Sequence, residues 1–168
     1  MITQVTGVHA QVWDFLVNES AALDEHRHGD WLGLLTDDFV YEIPVPRSRE
    51  DLTQSPYDMT TFLAHESKSF LEMRFTRLSS DHAWSEHPPA FFRHFISNFR
   101  VVEEVDGESW TVATNVLVVR SRLPEPTTMS TAGRRDTIVA TPDGLRLAHR
   151  VVFLDTELPT DGQLGIIY

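Results

Sequence analysis

Before about residue 80 apolar residues recur at helical spacing, and after residue 90 they recur at every second position. Val8, Val12, Phe15, Leu16 and Leu23 fall on one face of a first helix, with Asp14, Asn18 and Asp24 turned away. Asp30 is placed to cap a short second helix that buries Trp31, Leu34 and Leu35. Phe39, Tyr41 and Ile43 alternate with Val40 and Glu42, which predicts a strand stopped by Pro44 and Pro46. Met59, Phe62, Leu63, Phe70 and Met73 predict a third helix. From residue 91 the chain reads as a meander. Phe91 to Val105 and Ser109 to Leu123 flank Asp106-Gly107, a pair suited to the positive φ angles of a type I′ hairpin turn. Pro124-Glu-Pro126 opens a loop, and Thr131 to Ala140 and Leu145 to Asp155 follow around Pro142-Asp-Gly144. Helices first and antiparallel strands afterwards define an α+β domain, expected to span residues 1–168 as one unit.

Two consequences follow from the strands themselves. They exceed the usual ~3–10 residues, so the sheet must twist and curl, with bulges to allow it. The first is also apolar on both sides, with Phe91, Phe95, Phe99 and Val101 on one face and Phe92, Ile96 and Val102 on the other. The second carries Trp110, Val112, Val116 and Val118 on one face and Leu117 and Val119 on the other. About three helices cannot cover both faces, so a subunit interface is expected.

Composition narrows the function. A net charge of -11, from 14 Lys+Arg against 25 Asp+Glu, disfavours nucleic acid and anionic lipid as partners. With no cysteine, the chain can form neither a disulfide nor a thiolate-ligated cluster. The first residues lack a signal-peptide pattern, and no apolar run approaches the ~20 residues of a membrane span, so a cytoplasmic location is expected.

The eight histidines are the natural place to look for chemistry. His26-Arg27-His28 sits in a polar run that reads as an exposed helix end. His82 and His87 bracket Trp84 beside Glu86, and spacing alone makes that a weak pattern for an iron site. His65-Glu66 has no second histidine four residues on, so it is not a zinc-hydrolase motif. His149 shares a strand face with Leu145, Leu147, Val151 and Phe153, which would point it inward. With Asp38, Tyr41 or Glu42 beside it, such a histidine could move a proton in a dehydration or isomerisation. A core histidine bonded to backbone or a carboxylate is the plainer reading, for His149 and for His94. Arg93 near Glu86 could tie a loop to the first long strand, and Arg134, Arg135 and Asp136 suit a solvated strand or an interface ion network.

The run Trp84-Ser-Glu86-His-Pro-Pro-Ala90-Phe-Phe-Arg93-His94, continuing to Ser97-Asn98, resembles the small (β) subunit of the Rieske-type aromatic-ring-hydroxylating dioxygenases. Phe15-Leu16, Glu19, Leu23-Asp24, Tyr41-Glu-Ile-Pro44, Asn115, Gly133-Arg-Arg-Asp136, Arg150 and Leu164-Gly-Ile-Ile-Tyr168 fit the same pattern in order. Ala90-Phe91 and Thr137-Ile-Val139 depart from it. The resemblance implies an NTF2-like cone, a strongly curved antiparallel sheet with about three N-terminal helices across its mouth. It implies a non-catalytic subunit with no metal or cofactor of its own. The Rieske [2Fe-2S] cluster and mononuclear iron would sit on a large (α) subunit fed by NAD(P)H through a reductase. Three large and three small chains would assemble, the small ones touching one another, to cis-dihydroxylate an aromatic compound. Trp84, Glu86, Arg93, His94, Asn98, Arg134, Arg135 and Asp136 are then the interface or structural candidates. A stand-alone dehydratase, isomerase or small-molecule binder using His149, Tyr41 and Asp38 is the alternative.

Overall fold

The computed structural model describes residues 7–78, 88–156 and 166–168. Helix α1 (Val8–Asp24) and the short α2 (His28–Gly33) precede strands β1 (Leu35–Pro46) and β2 (Tyr57–Ser67). Helix α3 (Lys68–Leu78) leads to β3 (Phe91–Val105), β4 (Ser109–Ser121), β5 (Thr128–Thr141) and β6 (Gly144–Leu154). The six strands form one sheet in the order β2-β1-β6-β5-β4-β3. The α+β class read from the sequence and the cone implied by the resemblance are the fold observed, with one correction to the expected antiparallel sheet. The sheet is mixed, because β1 runs parallel to β6 with Tyr41 opposite Arg150, while the other neighbours are antiparallel.

Helix α1 lays Val12, Leu16 and Leu23 against the sheet. Its C-terminus is closed by His26, which takes a left-handed φ of 56°. The N–H of His26 bonds Leu23 O at 3.1 Å and that of Arg27 bonds Ala22 O at 2.8 Å, the paired bonds of a Schellman stop. His26-Arg27-His28 is thus a helix terminator. Asp30 does not cap α2. It lies in the first turn and accepts from Arg27 Nη1 at 2.9 Å.

The third predicted helix is half wrong. Met59, Phe62 and Leu63 belong to β2, and the helix begins only at Lys68, after the Ser67 hydroxyl accepts the Phe70 N–H at 3.3 Å. Leu71 and Phe75 face the core from α3, whereas Phe70 and Met73 are exposed. Spacings of three and four are ambiguous over a short segment, and pairing with β1 decides the outcome.

Phe39, Tyr41 and Ile43 are all buried on the inner face, as their alternation predicts. Asp106 (φ 51°) and Gly107 (φ 69°) make the expected turn between β3 and β4. Bulges interrupt β3 between Ser97 and Arg100 and again after Val101. In β6, Thr137 pairs with His149 but Ile138 pairs with Leu147, so Ala148 is an inserted residue. These insertions bend the long strands into the cone. Trp31 and Leu71 from the helices and Phe39, Trp110, Ile138 and Leu147 from the strands fill it.

Candidate functional site

The apolar interior of the cone holds a buried charged cluster. Position 19 lies on the same helical stripe as Val12, Leu16 and Leu23, so α1 carries the Glu19 carboxylate into the core. β5 delivers Arg134 and Asp136 from its inner face, and β6 delivers Arg150. Arg150 Nε and Nη2 donate to Asp136 Oδ1 and Oδ2 at 2.7 and 3.1 Å, a two-pronged pairing. Its Nη1 donates to Glu19 Oε1 at 2.8 Å, which also accepts from Trp31 Nε1 at 2.5 Å. Arg134 stands 3.7 Å from Glu19 and 3.5 Å from Asp136, and its Nε donates to Thr114 Oγ1 at 3.3 Å. Two acids and two arginines therefore balance with no net charge.

Burial alone would raise the pKa of Glu19. The charges of Arg150 and Arg134 and the bonds from Arg150 and Trp31 outweigh it and hold the carboxyl at about 2. Burial likewise opposes the charge on Arg150, yet Asp136 and Glu19 push its pKa upward. Arg134 moves down, from burial first and then from the charge of Arg150. Glu19 and Arg150 stand out in the sequence only through the resemblance. The physical signal was there for one of them, an acid set in an otherwise apolar helical stripe.

The candidate residues sort by face. Trp84 and Glu86 lie outside the described residues, as do His82 and His87, and with them the Arg93–Glu86 pairing. Arg93 is exposed, and its Nη1 donates to Phe92 O at 3.1 Å. His94 turns inward and is almost fully enclosed. Its Nδ1 meets Asp24 Oδ1 at 2.6 Å and its Nε2 meets Ile167 O at 2.8 Å, while its main-chain N–H also reaches Asp24 at 3.1 Å. This one residue ties the end of α1, the edge strand β3 and the segment 166–168. Asn98 holds a left-handed φ of 55° at the first β3 bulge, a conformation asparagine tolerates better than branched residues.

Arg134, Arg135 and Asp136 split between the two faces. Arg134 and Asp136 belong to the buried cluster, which corrects their reading as a solvated strand or interface network. Arg135 is exposed, its guanidinium 6.0 Å from the centre of the Phe153 ring.

His149, Tyr41 and Asp38 are not brought together. The Ala148 insertion reverses the phase of β6, so Leu147, Arg150, Val152 and Leu154 point inward and His149 points outward. There its Nε2 meets Glu42 Oε2 at 2.9 Å, and Glu42 Oε1 meets His65 Nδ1 at 3.0 Å. Tyr41 is buried on the other face, where burial raises the pKa of its phenol, and Asp38 is exposed. Among the described residues no group of three His, Cys, Asp or Glu is placed to hold a metal ion. An open depression of about 630 Å³ lies between α2 and α3, where His28 stacks on Phe75 with ring centres 4.2 Å apart.

The outer face of β3–β5 is apolar and uncovered. Phe95, Leu117 and Thr131 form one cross-strand row, and Arg93, Val119 and Met129 form the next. Phe91, Phe95 and Met129 are 69%, 56% and 63% exposed. Among the described residues no helix is long and apolar enough to cross a membrane.

Comparison with known proteins agrees with this arrangement. The chain is 31% identical over 165 residues to the beta subunit of 3-phenylpropionate/cinnamic acid dioxygenase from Photorhabdus laumondii, covering 96% of this chain and 92% of that one. Its fold matches a chain of naphthalene 1,2-dioxygenase with a TM-score of 0.81 at 19% identity, over 98% of this chain and 87% of the other. It matches the beta subunit of benzoate 1,2-dioxygenase from Burkholderia mallei with a TM-score of 0.71 at 23% identity, over 91% and 93%. Residues 18–160 match the family model described as ring hydroxylating beta subunit, and the chain belongs to that family.

Proposed function

We propose that the chain is the non-catalytic, structural subunit of an aromatic-ring-hydroxylating dioxygenase, on which iron-bearing large subunits assemble to cis-dihydroxylate an aromatic compound. The observation that carries this reading, beside family membership, is the apolar patch on the outer face, where Phe91, Phe95 and Met129 are exposed around the half-buried Leu117 and Val119. A face of this kind in water is costly unless a partner covers it. Arg93, Arg100 and Arg135 stand on the same face with Glu103, in a chain whose net charge is -11. That sign suits an acidic partner surface.

The catalytic groups belong to the large subunit. This sequence contains no cysteine, and a Rieske [2Fe-2S] cluster needs two, so the cluster lies on another chain of the holoenzyme, and on this reading the mononuclear iron fed by NAD(P)H lies there with it. The assembly is three large and three small chains in the cytoplasm, and residues 1–168 act in it as one domain. The substrate is read by the large chain.

The test is the native mass and iron content of the tagged chain recovered from its own host. A complex containing a larger iron-bearing chain in equal number is the expected result. An iron-free homo-oligomer, found also when the large chain is supplied in excess, would overturn the reading.

A further inference from the structure

Residues 166–168 enter the cone and are recognised there as a ligand would be. Ile166, Ile167 and Tyr168 are buried, at 5%, 6% and 1% exposure. Their polar atoms meet side chains from four different strands, with no sheet ladder involved. His94 of β3 reaches Ile167 O, and the hydroxyl of Tyr41 on β1 accepts the Tyr168 N–H at 3.2 Å. Arg150 of β6 donates through Nη1 to Tyr168 O at 2.9 Å. Ser130 of β5 shares a 2.6 Å bond with the Tyr168 hydroxyl. Ser130, Tyr41 and Arg150 are themselves almost completely buried. An apolar plug would need none of these partners, and each would lose one if the segment left.

We propose that the cone contains a binding site for a 4-hydroxyphenyl group with an oxygen acceptor beside it, and that the protein fills this site with its own Tyr168. The ring lies in the core with the phenol read by Ser130, and the acceptor position is read by Arg150. The site is separate from the outer face of β3–β5, and the inference stands whether or not that face meets a large subunit.

The test uses the full chain in whatever assembly it is recovered. Tyr168→Ala removes the ring but leaves the main-chain oxygen on Arg150, so 4-methylphenol is the matching probe and toluene its apolar control. The expected result is that 4-methylphenol binds the variant and raises its melting temperature, about ten-fold tighter than toluene, the worth of one buried hydrogen bond. Adding Ser130→Ala should abolish that preference, and the unsubstituted chain, its site occupied, should respond to neither compound. Equal binding of the two probes, binding of neither by a folded variant, or binding by the unsubstituted chain would each overturn the proposal. If Tyr168→Ala does not fold in buffer, the same pair is compared during refolding. Recovery with 4-methylphenol but not toluene supports the site, and recovery with both or with neither overturns it.

Discussion

Each face of the curved sheet carries an exception to the usual rule of polar outside and apolar inside. Within the cone, Glu19, Arg134, Asp136 and Arg150 are completely enclosed, while on the outside Phe91, Phe95 and Met129 stand in solvent. β5 shows the contrast within one strand, since Arg134 and Asp136 point in and Met129 points out. The inner charges tie α1, β5 and β6 into one arrangement and act on the fold of this chain. The outer aromatic residues contribute little to that fold, and in the proposed function they are held for a partner chain. Substitutions on the two faces should therefore fail in different experiments.

The largest effect is expected from Glu19→Ala. It strands Arg150 and Arg134 with too few partners, and breaking a buried pair in this way costs about 3–5 kcal/mol. Urea unfolding measures it, and a loss below about 1 kcal/mol would mean the cluster does not hold the fold. The same carboxyl sets an acid limit. With a folded pKa of about 2 against an ordinary 4.5, Glu19 contributes its full stabilisation above pH 4.5, and that is lost as the pH falls towards 2. Acid titrations of the original chain and of Glu19→Gln should therefore diverge across that window, with the variant showing the shallower dependence. His94→Ala comes next, at about 2 kcal/mol, because it leaves Asp24 and Ile167 O without their ring partner. The smallest effect belongs to the outer face. His149→Ala should stay within about 0.5 kcal/mol in the same unfolding measurement, since its bond to Glu42 is half exposed. A cost near that of His94→Ala would erase the distinction between the faces.

Much of this contrast is legible in the sequence. The α1 stripe, the alternation Phe39-Tyr41-Ile43, the Asp106-Gly107 turn and the doubly apolar strands β3 and β4 all follow from local patterns. What escapes local reading depends on pairing. β2 reads as helix because Met59, Phe62 and Leu63 satisfy helical spacing, and only β1 alongside makes it a strand. His149 reads as inward because alternation is counted from Leu147, and the Ala148 insertion reverses the count without leaving a mark in composition. The ion cluster draws on three elements spread between residues 19 and 150, so no window of sequence contains it. Its clearest local sign is Glu19 within an apolar stripe, and Arg150 is hidden behind the same insertion as His149.

The most direct measurement uses Phe95→Asp, co-expressed with the large subunit and assayed by native mass, with urea unfolding of the isolated variant alongside. The account predicts an unfolding midpoint close to that of the original chain and loss of the large subunit from the complex. A complex that retains both chains in equal number would contradict it, because the exposed face of β3–β5 would then not be where the partner docks.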